Sequence, residues 1–435
     1  MHVTEPLGWY GALFGLLIAI TLILRKVNPV YSLFLGAIIG AVIGGASLDQ
    51  IILLLTSGTQ SVMGTVIRVL AAGVLAGMMM ESGAAEIIAQ AIVKKLGSSK
   101  AILALTLATM IITAVGVFIP VAVLIVAPIA LSVGNQMGIS KTALLLALSG
   151  GGKAGNIISP NPNAIAAANG FHLQLSEVMI GGFIPAVCGL IITVWVASLL
   201  KNRGIKVAPC EVTALNCQAR DLKDSPSLGK SVVAPVTAIV LLMLTPLGSI
   251  FHIDTLSSLK LDAMYVLPVA GITGLVAMGK TRKIIAFTSS GLEKMTATVL
   301  ILIGAGAIAG LISASDLSAH VVHLISILGF SGTYLAPISG ILMAAATAST
   351  STGVILATST FGHAISAIGL APVASAVMVH TGATVIDSLP QGNYFHVTAQ
   401  SMNMTIQQRM GLLAYEAIVG GTMTVVATLL YGFIL

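Results

Sequence analysis

A chain of 435 residues in which 57% are hydrophobic and only 8% are charged lies far from soluble proteins, where about a quarter of residues carry charge. Its mean hydropathy of +1.04 excludes an ordinary soluble domain and a disordered polymer, and defines a polytopic membrane protein. The formal net charge of +6 comes from basic residues grouped in short loops, which is the pattern of membrane topology and not of a nucleic-acid-binding face, so no nucleic-acid partner is expected.

In chain order, the first apolar run, Leu7 to Leu24, is followed by Arg25 and Lys26 and at once by another apolar run, with no small-residue cleavage site between them. It reads as a first transmembrane helix and not as a signal peptide. Further apolar runs follow at 29–46, 61–80, 101–119, 120–135, 178–199, 230–249, 263–278, 295–314, 334–357, 371–386 and 411–434. A full span needs about 20 residues, so the shorter runs predict half-helices or re-entrant pieces, with about ten to fourteen crossings in all. Cys188, Cys210 and Cys217 show no recurrent metal spacing, and no metal or redox role is assigned to them.

A basic connection falls almost at mid-chain and invites a search for an internal repeat. GVLAGMMMES, Gly73 to Ser82, aligns with GAIAGLISAS, Gly306 to Ser315. Lys94, Lys95 and Lys100 follow the first copy, whereas Asp316 to Thr333 has no Lys or Arg; conversely Gly44 to Gln50 is without basic residues where Lys280, Arg282 and Lys283 crowd the matching place. Opposite charge bias in matching loops is what repeats of inverted topology produce. The expected organisation is all-α, with a first inverted repeat at 1–200, a cytoplasmic linker at 201–229 and a second inverted repeat at 230–435. Arg25/Lys26, Lys94 to Lys100, the linker, 280–294 and Arg409 are then cytoplasmic, and both termini periplasmic.

Two polar, proline-broken stretches recur at one place in the two halves: SGGGKAGNIISPNPNAIAAAN, Ser149 to Asn169, and HTGATVIDSLPQGNYF, His380 to Phe395. Lipid-exposed irregular backbone would leave peptide groups unpaired, so such stretches line a protein interior or a water-filled cavity. Free backbone N–H groups at Gly150, Gly151 and Gly152, and side chains of Asn156, Ser159, Asn161 and Asn163, suit an anion and its hydroxyls. A second break, AATASTSTG at Ala345 to Gly353, adds Ser349, Thr350, Ser351 and Thr352 as substrate-binding candidates, a run also suited to a small cation or a carboxylate.

Ionisable residues inside a bilayer are costly and are read as functional. Lys153 is placed to pair with a substrate carboxylate or with Asp387. Asp387 is the first candidate proton carrier, His380 either a second one or a hydrogen-bond donor between helices, and His363 and Glu416 further candidates. Glu81 reads as an interfacial cap and Arg68 as a residue reaching to an interface. There is no G-x-x-x-x-G-K-[ST], H-E-x-x-H or G-x-S-x-G motif, so no enzyme, cofactor or metal site is expected, and transport driven by an ion gradient remains.

FIPVAVLIVAPIA at Phe118 to Ala130, NIISPNPNAIAAA at Asn156 to Ala168, TASTSTG at Thr347 to Gly353, HTGATVIDS from His380 and MNMTIQQRMGLLAYEAIVG at Met402 to Gly420 carry a resemblance over essentially the whole chain. The sequence resembles the gluconate permease (GntP) family, proton symporters of the ion transporter superfamily. The resemblance implies paired hairpins and unwound helices holding substrate and coupling ion, a moving domain against a homodimeric scaffold, and import of gluconate or a related sugar acid across the bacterial inner membrane. GGKAGN and SPNPN depart from the family's His-Gly and Pro-Pro-His-Pro pattern, so glycerate, D-serine or another small hydroxy or amino acid, sodium in place of the proton, and a passive channel or facilitator stand as alternatives.

Overall fold

The computed structural model describes residues 7–25, 27–97, 100–209, 226–259, 261–317, 319, 320, 323, 327, 332–390 and 392–434. The first half runs α1 (Trp9–Leu24), α2 (Pro29–Ile43), α3 (Leu48–Ser61), α4 (Met63–Glu81), α5 (Ala84–Leu96), α6 (Ala101–Ala114), α7 (Ile119–Met137), α8 (Lys141–Ile157), α9 (Pro162–Gly170), α10 (Leu175–Gly181) and α11 (Phe183–Leu199). The second runs α12 (Val233–Ile250), α13 (Ala263–Met278), α14 (Ile284–Ser313), α15 (Leu335–Thr347), α16 (Thr350–Ala367), α17 (Pro372–Gly382), α18 (Asn393–Ser401), α19 (Ile406–Met410) and α20 (Leu413–Leu429). Their starts are written in the sequence. Asn28 accepts from Val30 N ahead of Pro29, Ser47 and Gln50 form a capping box, and Ser140 accepts from Ala143 N, each satisfying backbone donors that a helix start leaves open.

Element order repeats between the halves. α8, α9 and α10 begin 231 residues before α17, α18 and α19. The pair α3–α4 has one continuous counterpart, the 30-residue α14, while the counterpart of α5 falls largely outside the described residues. Contacts repeat as well: α1 packs on α2 as α12 on α13, α6 on α8 as α15 on α17, α8 on α11 as α17 on α20. The short helices after the breaks cross over, α9 packing on α16 and α18 on α7. The breaks before α7 and α16 share a left-handed residue, Gly116 at φ +103° and Ala348 at φ 48°.

The structure is an all-α, multi-spanning membrane protein with broken helices. Among the described residues, five helices are long and apolar enough to cross a membrane singly, α10 and α11 form a sixth as a pair bent by 44°, and Trp9–Ile23, Pro29–Ile43, Ala101–Ala114, Ala263–Met278 and Gly332–Thr347 are shorter apolar helices. Small residues let the helices approach, as packing within a bilayer requires. Gly15 of α1 lies against Gly36 and Gly40 of α2, and Gly73 and Gly77 of α4 against Gly291 of α14. Of the expected linker at 201–229, residues 210–225 lie outside the described residues.

One expectation is corrected here. Gly150, Gly151 and Gly152 do not interrupt a helix, because α8 runs unbroken through them and the break begins at Ile158. Their N–H groups are therefore inside the helix ladder. What the glycines supply is clearance: a Cβ at Gly151 would run into the Thr106 carbonyl, and one at Gly150 into the Thr193 side chain.

Candidate functional site

The first break, 158–161, ends at Asn161, whose Oδ1 accepts from Asn163 N (2.8 Å) and Ala164 N (3.1 Å) and starts α9. The second break, 383–392, carries Thr384, Asp387 and Ser388 between α17 and α18. Lys153, on the last turns of α8, reaches across to it: its Nζ lies 2.7 Å from Asp387 Oδ1 and donates to the Thr384 carbonyl at 2.6 Å. Asp387 also accepts from Thr350 Oγ1 at 2.6 Å and Ser388 Oγ at 2.8 Å. Thr350 opens α16, capped by Ser349, which accepts from Thr352 N at 3.3 Å. One network thus joins α8, the second break and α16. Lys153 is 0% exposed and Asp387 4%, so each charge depends on the other: a buried charge left alone costs several kcal/mol.

Asp387 lines a cavity of about 510 Å³, within the range of small-molecule sites. Around it stand Asn156 from the end of α8, Asn163 from the start of α9, Ser349 to Thr352 from the start of α16, Phe118 to Val121 from the start of α7, Asn393 and Tyr394 from α18, and Lys294 and Thr298 from α14. Lys153 does not line it and lies behind Asp387. Asn156 is at the centre of an amide cluster, its Oδ1 accepting from Asn161 Nδ2 (2.5 Å) and Asn163 Nδ2 (3.2 Å). Ser159 is buried with its Oγ unpartnered.

A second buried ion pair lies beside the first. Arg409 holds Glu416 through both terminal guanidinium nitrogens at 2.8 and 3.0 Å, and both residues are fully buried. Ser149 donates to Glu416 and receives the Tyr394 hydroxyl at 2.7 Å. Ser149 and Lys153 are one turn apart on α8, so that helix grips the second half at two successive turns. Arg409 also covers the rings of Tyr394 (5.8 Å) and Phe395 (5.1 Å) and donates to Thr398 Oγ1 at 2.9 Å.

The sequence-predicted residues divide accordingly. Asp387, Ser349 to Thr352, Asn156 and Asn163 line one cavity, with Lys153 behind Asp387 and Asn161 bonded to the Asn156 amide outside the lining. Glu416 is adjacent, held by Arg409, away from the cavity lining. His380 is fully buried in α17 and neither ring nitrogen has a partner. His363 is exposed, about 20 Å along α16 from Thr350, and lines a separate cavity of about 230 Å³ with Asn169 and His172. Arg409, expected in a cytoplasmic loop, is fully buried and so carries no topology information. Arg68 is not merely reaching for an interface, since it binds Asp262 at 2.6 Å. Burial of Asp262, the cap of α13 outside the span, disfavours its charge, but the hydrogen bonds from Arg68 and Met264 N outweigh this and hold its carboxyl below the ordinary range. The pair is therefore lost only as pH falls through that lowered value, and does not titrate near neutrality. Glu81 pairs with Lys294 at 3.2 Å.

Tyr394, Lys294 and Thr298 escaped sequence reasoning. Tyr394 lies inside a stretch that stands out for its polar residues, Lys294 ends a basic cluster that reads as topology, and Thr298 sits in an uninterrupted apolar helix with no local signal. Among the described residues no group of three or more His, Cys, Asp or Glu is placed to hold a metal ion.

A helix-broken cavity with a buried ion pair between repeated halves is an arrangement that fits a polytopic transporter. Residues 10–434 match the GntP family permease, and the chain belongs to that family; it is a membrane transporter and not an enzyme. It is 48% identical over 97% of its length, and 97% of the relative's, to an uncharacterized transporter of Haemophilus influenzae. A gluconate permease of Zymomonas mobilis subsp. mobilis is 26% identical, over 76% of this chain and 78% of its own. In fold, the crystal structure of the Alcanivorax borkumensis YdaH transporter is similar with a TM-score of 0.64 at 15% identity, covering 89% of this chain and 90% of that one.

Proposed function

We propose that the protein is a proton symporter that imports gluconate or a related sugar-acid anion across the inner membrane, with two repeats of inverted topology, 1–200 and 230–435, and both termini periplasmic. The observation that carries this reading is the buried Lys153–Asp387 pair, made between the halves at the wall of the cavity. An ammonium so enclosed needs one carboxylate beside it. In the empty carrier Asp387 supplies it. When a proton neutralises Asp387, the substrate carboxylate takes its place at Lys153, and neither ligand is well held without the other. Proton and anion binding thereby reinforce each other, which is the requirement for coupled transport. Asn156, Asn163 and the Ser349–Thr352 segment present hydroxyl-binding groups to the rest of the molecule, and the Zymomonas gluconate permease supports a sugar acid as the cargo.

Purified protein in liposomes, given an inward proton gradient and labelled gluconate with and without sodium, tests this. Unmodified protein is expected to accumulate gluconate above equilibrium without sodium. Asp387→Asn, neutral at every pH, is expected to abolish uphill accumulation while keeping gluconate exchange; uphill uptake by that variant would remove Asp387 from the mechanism.

A further inference from the structure

Three asparagine amides, one in the first break and one in each helix flanking it, fix one another's orientation. Asn161 must turn its Oδ1 toward Asn163 N and Ala164 N, because those donors open α9. Its Nδ2 therefore points at Asn156, to the backbone carbonyl at 2.7 Å and to the side chain at 2.5 Å. The Asn156 atom receiving it has to be oxygen, since two amide nitrogens would repel. The same oxygen takes the contact from Asn163 at 3.2 Å, so the Asn163 atom there has to be nitrogen. What remains over is determined: Asn156 Nδ2 and Asn163 Oδ1 have no partner, although both residues are 4% exposed and line the cavity. A buried donor and acceptor without partners forgo the hydrogen bonds that water would give them, and a ligand group that pairs both recovers them.

We propose that Asn156 and Asn163 form a hydroxyl-reading subsite, in which Asn156 Nδ2 donates to, and Asn163 Oδ1 accepts from, one hydroxyl or two adjoining hydroxyls of the substrate. This rests on the sugar-acid reading above and specifies what selects the cargo. An alcohol is the group that both accepts and donates at one point. A bare cation would meet the Asn156 amino group and be repelled, and a second carboxylate would meet the Asn163 oxygen. Selection here is separate from the Lys153–Asp387 pair, which engages the carboxylate.

The test uses the full-length protein in liposomes and competition of labelled gluconate uptake by gluconate, by each of its single-deoxy analogues and by an unhydroxylated carboxylate of similar length. With unmodified protein, at least one deoxy analogue is expected to compete about tenfold or more worse than gluconate, the loss that follows from leaving the asparagine groups unpaired. In Asn163→Leu the gluconate advantage over that analogue should fall by about tenfold, with Asn156→Leu behaving alike. Equal competition by all deoxy analogues with unmodified protein, a result that needs no variant, overturns the subsite. So does an unchanged ratio in Asn163→Leu. Absence of sugar-acid uptake by unmodified protein is a different failure, which overturns the proposed function on which the subsite rests.

Discussion

At the scale of single residues, the proposed cycle requires Lys153 to have one carboxylate partner at a time. The two charges are shielded from water on every side except the cavity wall at Asp387, and Thr350, Ser388 and the Thr384 carbonyl complete their hydrogen bonds. Breaking such a pair from one side costs about 3–5 kcal/mol, while replacing both members with apolar groups is often close to neutral. Lys153→Met and Asp387→Leu are accordingly each expected to lower the melting temperature in detergent, and the double variant to melt closer to the unmodified protein than either single one. A double variant that loses the sum of the two single losses would show that the residues act independently. The sequence displayed both residues as intramembrane charges and allowed their pairing. It did not display that Arg409 and Glu416 form a second such pair, because an arginine two residues before an apolar run also fits a loop. Only the fold returns α19 beneath α18 and buries the guanidinium against Tyr394 and Phe395.

At the scale of elements, the clear lesson is α8. Three consecutive glycines beside a lysine suggest unwound chain, yet the helix continues because its neighbours demand glycine for another reason. Thr106, Met110 and Thr193 lie where Cβ atoms at 150, 151 and 155 would stand. The intimate α6–α8 contact then holds Ser149 and Lys153 toward the second half. Gly151→Val is expected to destabilise the protein by about 1–3 kcal/mol or more through overpacking against α6, read as a fall in melting temperature and in folded yield. Gly421→Ala on α20, with nothing within 4 Å of the added carbon, is the comparison expected to change neither. The breaks that do exist were legible where proline and asparagine fix them, at Asn161–Pro162, and where small hydroxyl residues crowd the chain, at Ala345 to Gly353, whereas the left-handed turn at Ala348 itself was not. Periodicity could not say whether a glycine run marks a gap in a helix or a place where another helix comes close, since both exclude side chains.

At the scale of the whole molecule, the repeat explains why the two halves are alike in frame and unlike in charge. The 231-residue shift that superposes α8–α10 on α17–α19 carries Asn156 onto Asp387 and Lys153 onto Thr384. The same two positions thus hold an amide and a lysine in one half, and a carboxylate and a backbone acceptor in the other. The halves meet as complements, and the cavity is polar on both sides with its ionised pair shared across the boundary. In the proposed cycle that boundary exchanges one carboxylate for another, so one proton accompanies each monoanion and no net charge crosses. Current recorded from protein-loaded membranes during gluconate uptake, alongside the proton flux, tests this most directly: the expected result is one proton per gluconate with no sustained current, and a steady inward positive current coupled to uptake would contradict it.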